Sequence, residues 1–132
     1  MVAIRTKGRV MIDTVAWVHL DNGLILCARP RGKDVFYIPG GKREGAESDL
    51  ETLRREISEE LTVALLPGTE WHVGTYQASG VRMSCYAAGY TGTLAASSEI
   101  DELAWFRYAD RPRVPPVDQL LFDDRRAAGQ LR

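Results

Sequence analysis

The sequence predicts an α+β domain, layered as α/β/α, within a chain of 132 residues. Three observations predict it. Strand-like and helix-like runs follow one another in the order strands, helix, strands, helix. Both helical runs are amphipathic, with apolar positions gathered on one face. No repeat, low-complexity tract or linker breaks the pattern, so residues 1–132 read as a single domain.

The elements follow in chain order. Val10 to Leu20 is rich in apolar and β-branched residues and meets Asp21-Asn22-Gly23, a two-strand turn signal. Leu24 to Ala28 continues as a second strand, so the opening reads as a hairpin. Arg29 to Asp34 is a polar loop. Val35 to Ile38 is a short strand stopped by Pro39-Gly40-Gly41. Glu47 to Leu61 is the main helix, with Leu50, Leu53, Ile57 and Leu61 along one face and Ser48 or Asp49 at its start. Strands are expected at Trp71 to Ala78 and Arg82 to Tyr90, and a short one at Leu103 to Arg107. Pro112 to Pro116 is a stiff connector, and Val117 to Ala128 is the second helix, ended by Gly129.

Composition narrows the function classes. Hydrophobic residues make up 45% and charged residues 27%, the balance of a globular protein. The net charge is -1, which provides no global field for a long nucleic acid or an anionic membrane. A small anionic ligand is compatible, because a metal ion or a few basic side chains supply charge locally. Cys27 and Cys85 lack metal-site spacing and read as buried small hydrophobes. Met1 to Val10 carries Arg5, Lys7 and Arg9, and the apolar stretch after it is too short and polar for a signal or membrane helix. A cytoplasmic protein is expected.

The chemistry concentrates between Phe36 and Val63. On a helix, Glu56, Glu59 and Glu60 share an arc of roughly 100° beside the apolar stripe. Like charges so placed repel by a few tenths of a kcal/mol. Helix geometry aims Arg55 at Glu51 and Glu59 rather than at Glu56 or Glu60. A cluster left partly unrelieved invites a hard cation, Mg²⁺ or Mn²⁺. A solvated acidic face has the same pattern. What separates the two is the preceding segment. Gly40 and Gly41 permit close backbone approach, and Lys42 places a cation where a phosphate can lie.

This stretch resembles the Nudix box, the signature of the Nudix hydrolases, and the compact chain resembles their MutT-like members. The pattern is Gly, five residues, Glu, seven residues, then Arg-Glu-aliphatic-x-Glu-Glu-x-Gly-aliphatic. Gly41, Glu47, Arg55, Glu56, Ile57, Glu59, Glu60 and Val63 fit at the correct spacing. Thr62 stands where the family has Gly, and a β-branched residue adopts the left-handed conformation poorly. A changed exit from the helix is therefore expected, with activity retained.

The resemblance implies an α/β/α sandwich with a mixed central sheet. It implies that Glu56, Glu59 and Glu60, with the Gly40 carbonyl, bind Mg²⁺, with Mn²⁺ as a substitute. It implies that Arg55 and Glu47 pair to hold loop and helix together around Gly41. Glu59 or Glu60 is the candidate base, and Lys42 steadies developing negative charge. It also points to Glu99 or Glu102 as a further metal-binding or base carboxylate. Arg29 and Arg31 follow a strand end and can reach phosphates. Phe36, Tyr37 and Trp105 are stacking candidates, although adjacent Phe36 and Tyr37 face opposite sides. His19 and His72 suggest no site.

The expected activity is cleavage of a diphosphate linkage in a small nucleotide, foremost a nucleoside triphosphate giving the monophosphate and pyrophosphate. ADP-ribose or another sugar nucleotide is the alternative substrate. A non-catalytic nucleotide-binding module is the rival from another class. Monomer and homodimer are both compatible with the chain.

Overall fold

The computed structural model describes residues 3–6 and 9–132, with side chains from residue 11 onward. The basic side chains of Arg5, Lys7 and Arg9 therefore lie outside the described ones. The central sheet has five strands: β1 (Ala3–Thr6), β2 (Arg9–Trp17), β5 (Gly40–Lys42), β7 (Trp71–Ala78) and β8 (Val81–Ala87). It is mixed, because β2 runs parallel to β8 and antiparallel to β1 and β5. A second, antiparallel sheet orders β10 (Ile100–Phe106), β4 (Leu24–Pro30) and β3 (Leu20–Asp21). Two short strands, β6 (Ala64–Leu65) and β9 (Tyr90–Thr91), pair separately.

Period-two alternation along β2 builds the layers. Val15 and Trp17 face the helix α1 (Asp49–Leu61), packing with Leu53, Ile57 and Leu61. Ala16 and the following Val18 belong to the opposite core with Val117, Leu121 and Phe122 of the second helix, α2 (Pro116–Ala127). This is the expected α/β/α sandwich. Trp17 is wholly buried, and its indole nitrogen donates to the Ala88 carbonyl at 3.2 Å. Cys27 and Cys85 are buried free thiols within the α2-side core, and burial raises the pKa of both. Among the described residues no helix is long and apolar enough to cross a membrane.

Several expectations change. The strand from Val10 does not run to Leu20; it ends at Trp17, and only Leu20–Asp21 forms the hairpin with β4. Asn22 and Gly23, with φ of 53° and 78°, make the expected tight turn. The chain there passes from the central sheet to the second one. Val35 to Ile38 is not a ladder strand, having one bridge, Tyr37 to Ala28. Two of its other amides turn elsewhere: Phe36 N donates to the Arg113 carbonyl and Ile38 N to the Asp118 carboxylate. The predicted stop at Gly40-Gly41 is itself the start of β5.

Helix α1 begins two residues later than expected, behind a Ser48–Glu51 capping box. The run from Arg82 to Tyr90 divides into β8 and β9, and β10 starts before Leu103. A 3-10 turn, Tyr108–Arg113, occupies part of the proline-rich connector. Thr62 takes the left-handed conformation of the helix exit, φ 60° and ψ 24°, rather than rerouting the chain. Its hydroxyl donates to the Thr93 carbonyl at 2.9 Å, which offsets part of the strain.

Candidate active site between the glycine strand and the acidic helix

Strand β5 lies between β2 and α1, and that narrow position requires its glycines. Gly40 has φ 153°, and a Cβ there would stand 2.0 Å from the Val15 carbonyl oxygen. A Cβ on Gly41 would meet the Glu56 carboxylate carbon at 2.5 Å. The backbone of β5 is thus pressed against a carboxylate of the helix.

Glu56 and Glu60 sit one turn apart and face each other. Burial and the Glu56 carboxylate push Glu60 up to about 8, against a hydrogen bond from the Gly40 backbone. Burial also raises Glu56, partly countered by Arg55. Glu59 stands further out, with 54% of its side chain exposed and its carboxylate 3.6 Å from Arg55. Among the described residues no three His, Cys, Asp or Glu side chains converge as a closed metal-binding set. The donors nevertheless suit a hard divalent cation: two crowded, half-buried carboxylates beside a glycine backbone, with Glu59 on the same helix face.

Arg55 organises the loop. Its Nε donates to Glu47 at 2.8 Å, its Nη2 to Glu47 at 3.0 Å and to the Lys42 carbonyl at 3.1 Å, and its Nη1 to Glu56 at 2.9 Å. These bonds hold the Glu47 carboxyl down at about 2. Helix geometry aims Arg55 at Glu51 and Glu59 rather than at Glu56; the approach to Glu59 is present at 3.6 Å, but Glu56 takes the place of Glu51. Glu51 is occupied by the Ser48 cap, and the long guanidinium reaches back to the loop.

A cavity of about 380 Å³ opens beside this cluster. Its lining includes Gly40, Lys42 and Glu60 together with Tyr37, Val117 and Asp118. Asp118 is only 3% exposed, and burial pushes its carboxyl up to about 7. Sequence reading missed it. The available signal was an acidic residue between Val117 and Leu121, on the face of α2 that the apolar pattern assigns to the core.

The outer candidates divide. Arg29 pairs with Glu102 at 3.3 Å and donates to the Lys33 carbonyl, and Arg31 pairs with Asp101 at 3.3 Å. The two arginines are therefore engaged by β10 and its approach. The loop bearing Glu99 is fastened to α1, because Ser97 N donates to the Glu60 carbonyl at 2.9 Å. Among the described residues Glu99 makes no ion pair, unlike Glu102. Phe36 packs on Phe106 in the core, while Tyr37 faces the cavity. Trp105 and His19 are in edge contact, and His19 stacks on Trp17 at 4.7 Å. His72 bonds Thr75.

The NUDIX domain model matches residues 11–124. No curated protein matches the chain. Among solved structures, the E. coli ORF135 protein is 29% identical, with a TM-score of 0.73, over 94% of this chain and 96% of that one. A MutT structure from work on Aliivibrio salmonicida and Vibrio cholerae is 21% identical, with a TM-score of 0.73, over 89% and 98%. The MutT protein of Methanosarcina mazei Go1 is 19% identical, with a TM-score of 0.74, over 95% and 99%. The latter two show the fold. Strand, glycine turn, acidic helix and family model agree: the chain belongs to the NUDIX family and is a hydrolase acting on phosphoric anhydrides of nucleoside diphosphate-linked compounds.

Proposed function

We propose that the protein is a Mg²⁺-dependent nucleoside triphosphate pyrophosphohydrolase, releasing the nucleoside monophosphate and pyrophosphate. The observation that carries this reading is that one cavity is lined both by Glu60 and Gly40 of the acidic cluster and by Tyr37 and Asp118. At about 380 Å³ it is near the lower end of small-molecule sites, suited to one nucleoside rather than two linked ones. An ADP-ribose or sugar-nucleotide substrate is the second reading.

Glu56, Glu60, Glu59 and the Gly40 carbonyl would hold Mg²⁺, or Mn²⁺ in its place. When bound, the ion neutralises the diphosphate and acidifies the attacking water. Glu59 or Glu60 takes the proton from that water, and Lys42 balances the charge that develops on the phosphate oxygens. Glu99, carried on the loop tied to Glu60, is the further carboxylate within this region. Arg29 and Arg31 support the cavity wall through Glu102 and Asp101 rather than gripping phosphate.

Tyr37 offers a ring to stack a base. Asp118 uses one oxygen for the Ile38 amide, leaving the other to read the base edge. Near neutral pH it accepts from an exocyclic amino group when ionised and donates to a ring nitrogen when protonated. Adenine and cytosine offer an amino donor and a ring-nitrogen acceptor side by side, and on this reading they are preferred to thymine and uracil, which offer N3–H and carbonyl oxygens. The chain acts as one domain in the cytoplasm, as a monomer or homodimer, on small nucleotides.

The test is hydrolysis of the eight common nucleoside triphosphates, ADP-ribose and sugar nucleotides with Mg²⁺, products separated by chromatography, alongside E59Q and E60Q. Metal-dependent release of pyrophosphate, lost in the variants, supports the reading. Release of AMP and ribose phosphate from ADP-ribose, with the triphosphates untouched, moves it to the second.

A further inference from the structure

A network that uses none of the motif's defining residues grips the loop after β5 from the opposite side. Asp13 on β2 is 2% exposed and carries a full carboxylate into the protein. Its neighbour across the parallel ladder is Arg82 on β8, with Nε 3.4 Å from Oδ1. Its other partner is Arg43, which directly follows β5. Arg43 does not stop there: its Nη1 lies 2.5 Å from Asp49 in the first turn of α1. The Tyr86 hydroxyl, also on β8, donates to the second Asp49 oxygen at 2.8 Å.

Two aspartates and two arginines make this group neutral, which is what burial of charge demands. One guanidinium, Arg43, joins sheet and helix. It sits next to Lys42, and side chains alternate along extended backbone. Lys42 lines the cavity, while Arg43 reaches the other way to Asp13 and Asp49. The loop between β5 and α1 is thus fixed at both ends, by Arg43 near the strand and by Glu47 on Arg55 near the helix.

We propose that Arg43, clamped between Asp13 and Asp49, is a positioning residue that fixes the Gly40 carbonyl and Lys42 against Glu56 and Glu60. This rests on the reading of those groups as the metal and phosphate site. Arg43 touches no substrate. It acts through the strand it follows, where a displacement near 1 Å is enough to cost about a hundredfold in rate.

The experiment compares wild type, R43M, R43K, D13N, E60Q and R54M. Arg54 serves as a control because it binds Glu70 at 2.8 Å on the same helix, away from the cavity. Mn²⁺ affinity is measured by water-proton relaxation without substrate, kcat and the Mg²⁺ midpoint with the best triphosphate, and Tm for each protein. R43M should bind Mn²⁺ at least threefold more weakly and lose at least tenfold in kcat while folded at the assay temperature. R43K should recover part of both, and D13N should resemble R43M. R54M, even at an equal loss of Tm, should keep wild-type Mn²⁺ affinity.

R43M within twofold of wild type in Mn²⁺ affinity and kcat overturns the proposal, as does an R54M loss matching it at equal Tm. If E60Q binds Mn²⁺ weakly while R43M does not, the positioning role fails and the metal site stands. If E60Q binds Mn²⁺ as wild type does, the metal-site reading itself fails, and the proposal with it.

Discussion

The Ile38 amide donates to the Asp118 carboxylate at 2.9 Å, joining positions 80 residues apart in the wall of the cavity. Burial raises the folded pKa of Asp118 from the ordinary 3.8 to about 7. Between those values the folded protein holds a proton that the unfolded chain has released. Stability from this group is therefore present at low pH and falls as pH rises toward 7, by up to about 1.4 kcal/mol per pH unit. In D118N the amide oxygen still accepts from Ile38 and this slope disappears. Chemical denaturation from pH 4.5 to 7.5 checks it; identical slopes in the two proteins would remove the buried-acid assignment.

Replacing Asp118 by Ala should also blunt base selectivity. The ratio of kcat/KM for an amino-bearing triphosphate over TTP should fall by about tenfold, since one hydrogen bond to a buried base edge is worth about 1.5 kcal/mol. An unchanged ratio would place base reading elsewhere in the cavity.

Gly41→Ala should abolish most activity with a modest loss of stability. The added methyl must displace the Glu56 carboxylate, which a Cβ would approach to 2.5 Å. A flexible carboxylate can rotate away, so the fold survives, yet it then leaves the ligand set. A fall in kcat of at least a hundredfold is expected, with Tm lowered by a few degrees. Near-normal turnover in this variant would contradict the role given to Glu56.

Glu60→Gln should separate stability from catalysis. Without metal, Glu56 and Glu60 crowd two carboxyl groups into one half-buried site. Removing one relieves the repulsion and should stabilise the metal-free protein by about 1 kcal/mol near pH 8. The same change should erase turnover and the rise in Tm that Mg²⁺ gives the wild type. The checks are paired melting curves with and without Mg²⁺.

Thr62 gives a cleaner test of local energetics. Thr62→Val keeps the left-handed strain and loses the hydroxyl bonded to Thr93, a cost of about 1 kcal/mol. Thr62→Gly loses the same bond but relieves the strain, so its stability should lie within about 1 kcal/mol of wild type. Both should retain full kcat. A Val variant as stable as the wild type would show that the Thr93 bond contributes nothing.

Much of this was legible in sequence because it is local. The α1 stripe, its cap and the glycine–acidic helix spacing all depend on residues within one or two turns. The hairpin went astray because alternation near Val18 does not reveal that a chain is leaving one sheet for another. Val35 to Ile38 looked like a strand because its apolar pattern is right, while two of its amides are claimed by Arg113 and Asp118, far away in sequence. Arg43, Asp13 and Tyr86 carry no local pattern at all, and Asp118 only its place on the apolar face of α2. Their partners are assembled only when β2, β8 and the two helices pack.

The cavity draws its lining from distant parts of the chain. Gly40, Lys42 and Glu60 come from one stretch of sequence, and Asp118 from α2, more than fifty residues on. On the proposed reading, substrate choice and bond cleavage are thus written in separate words. A relative could trade one base for another by editing the face of α2, with the reaction itself left untouched.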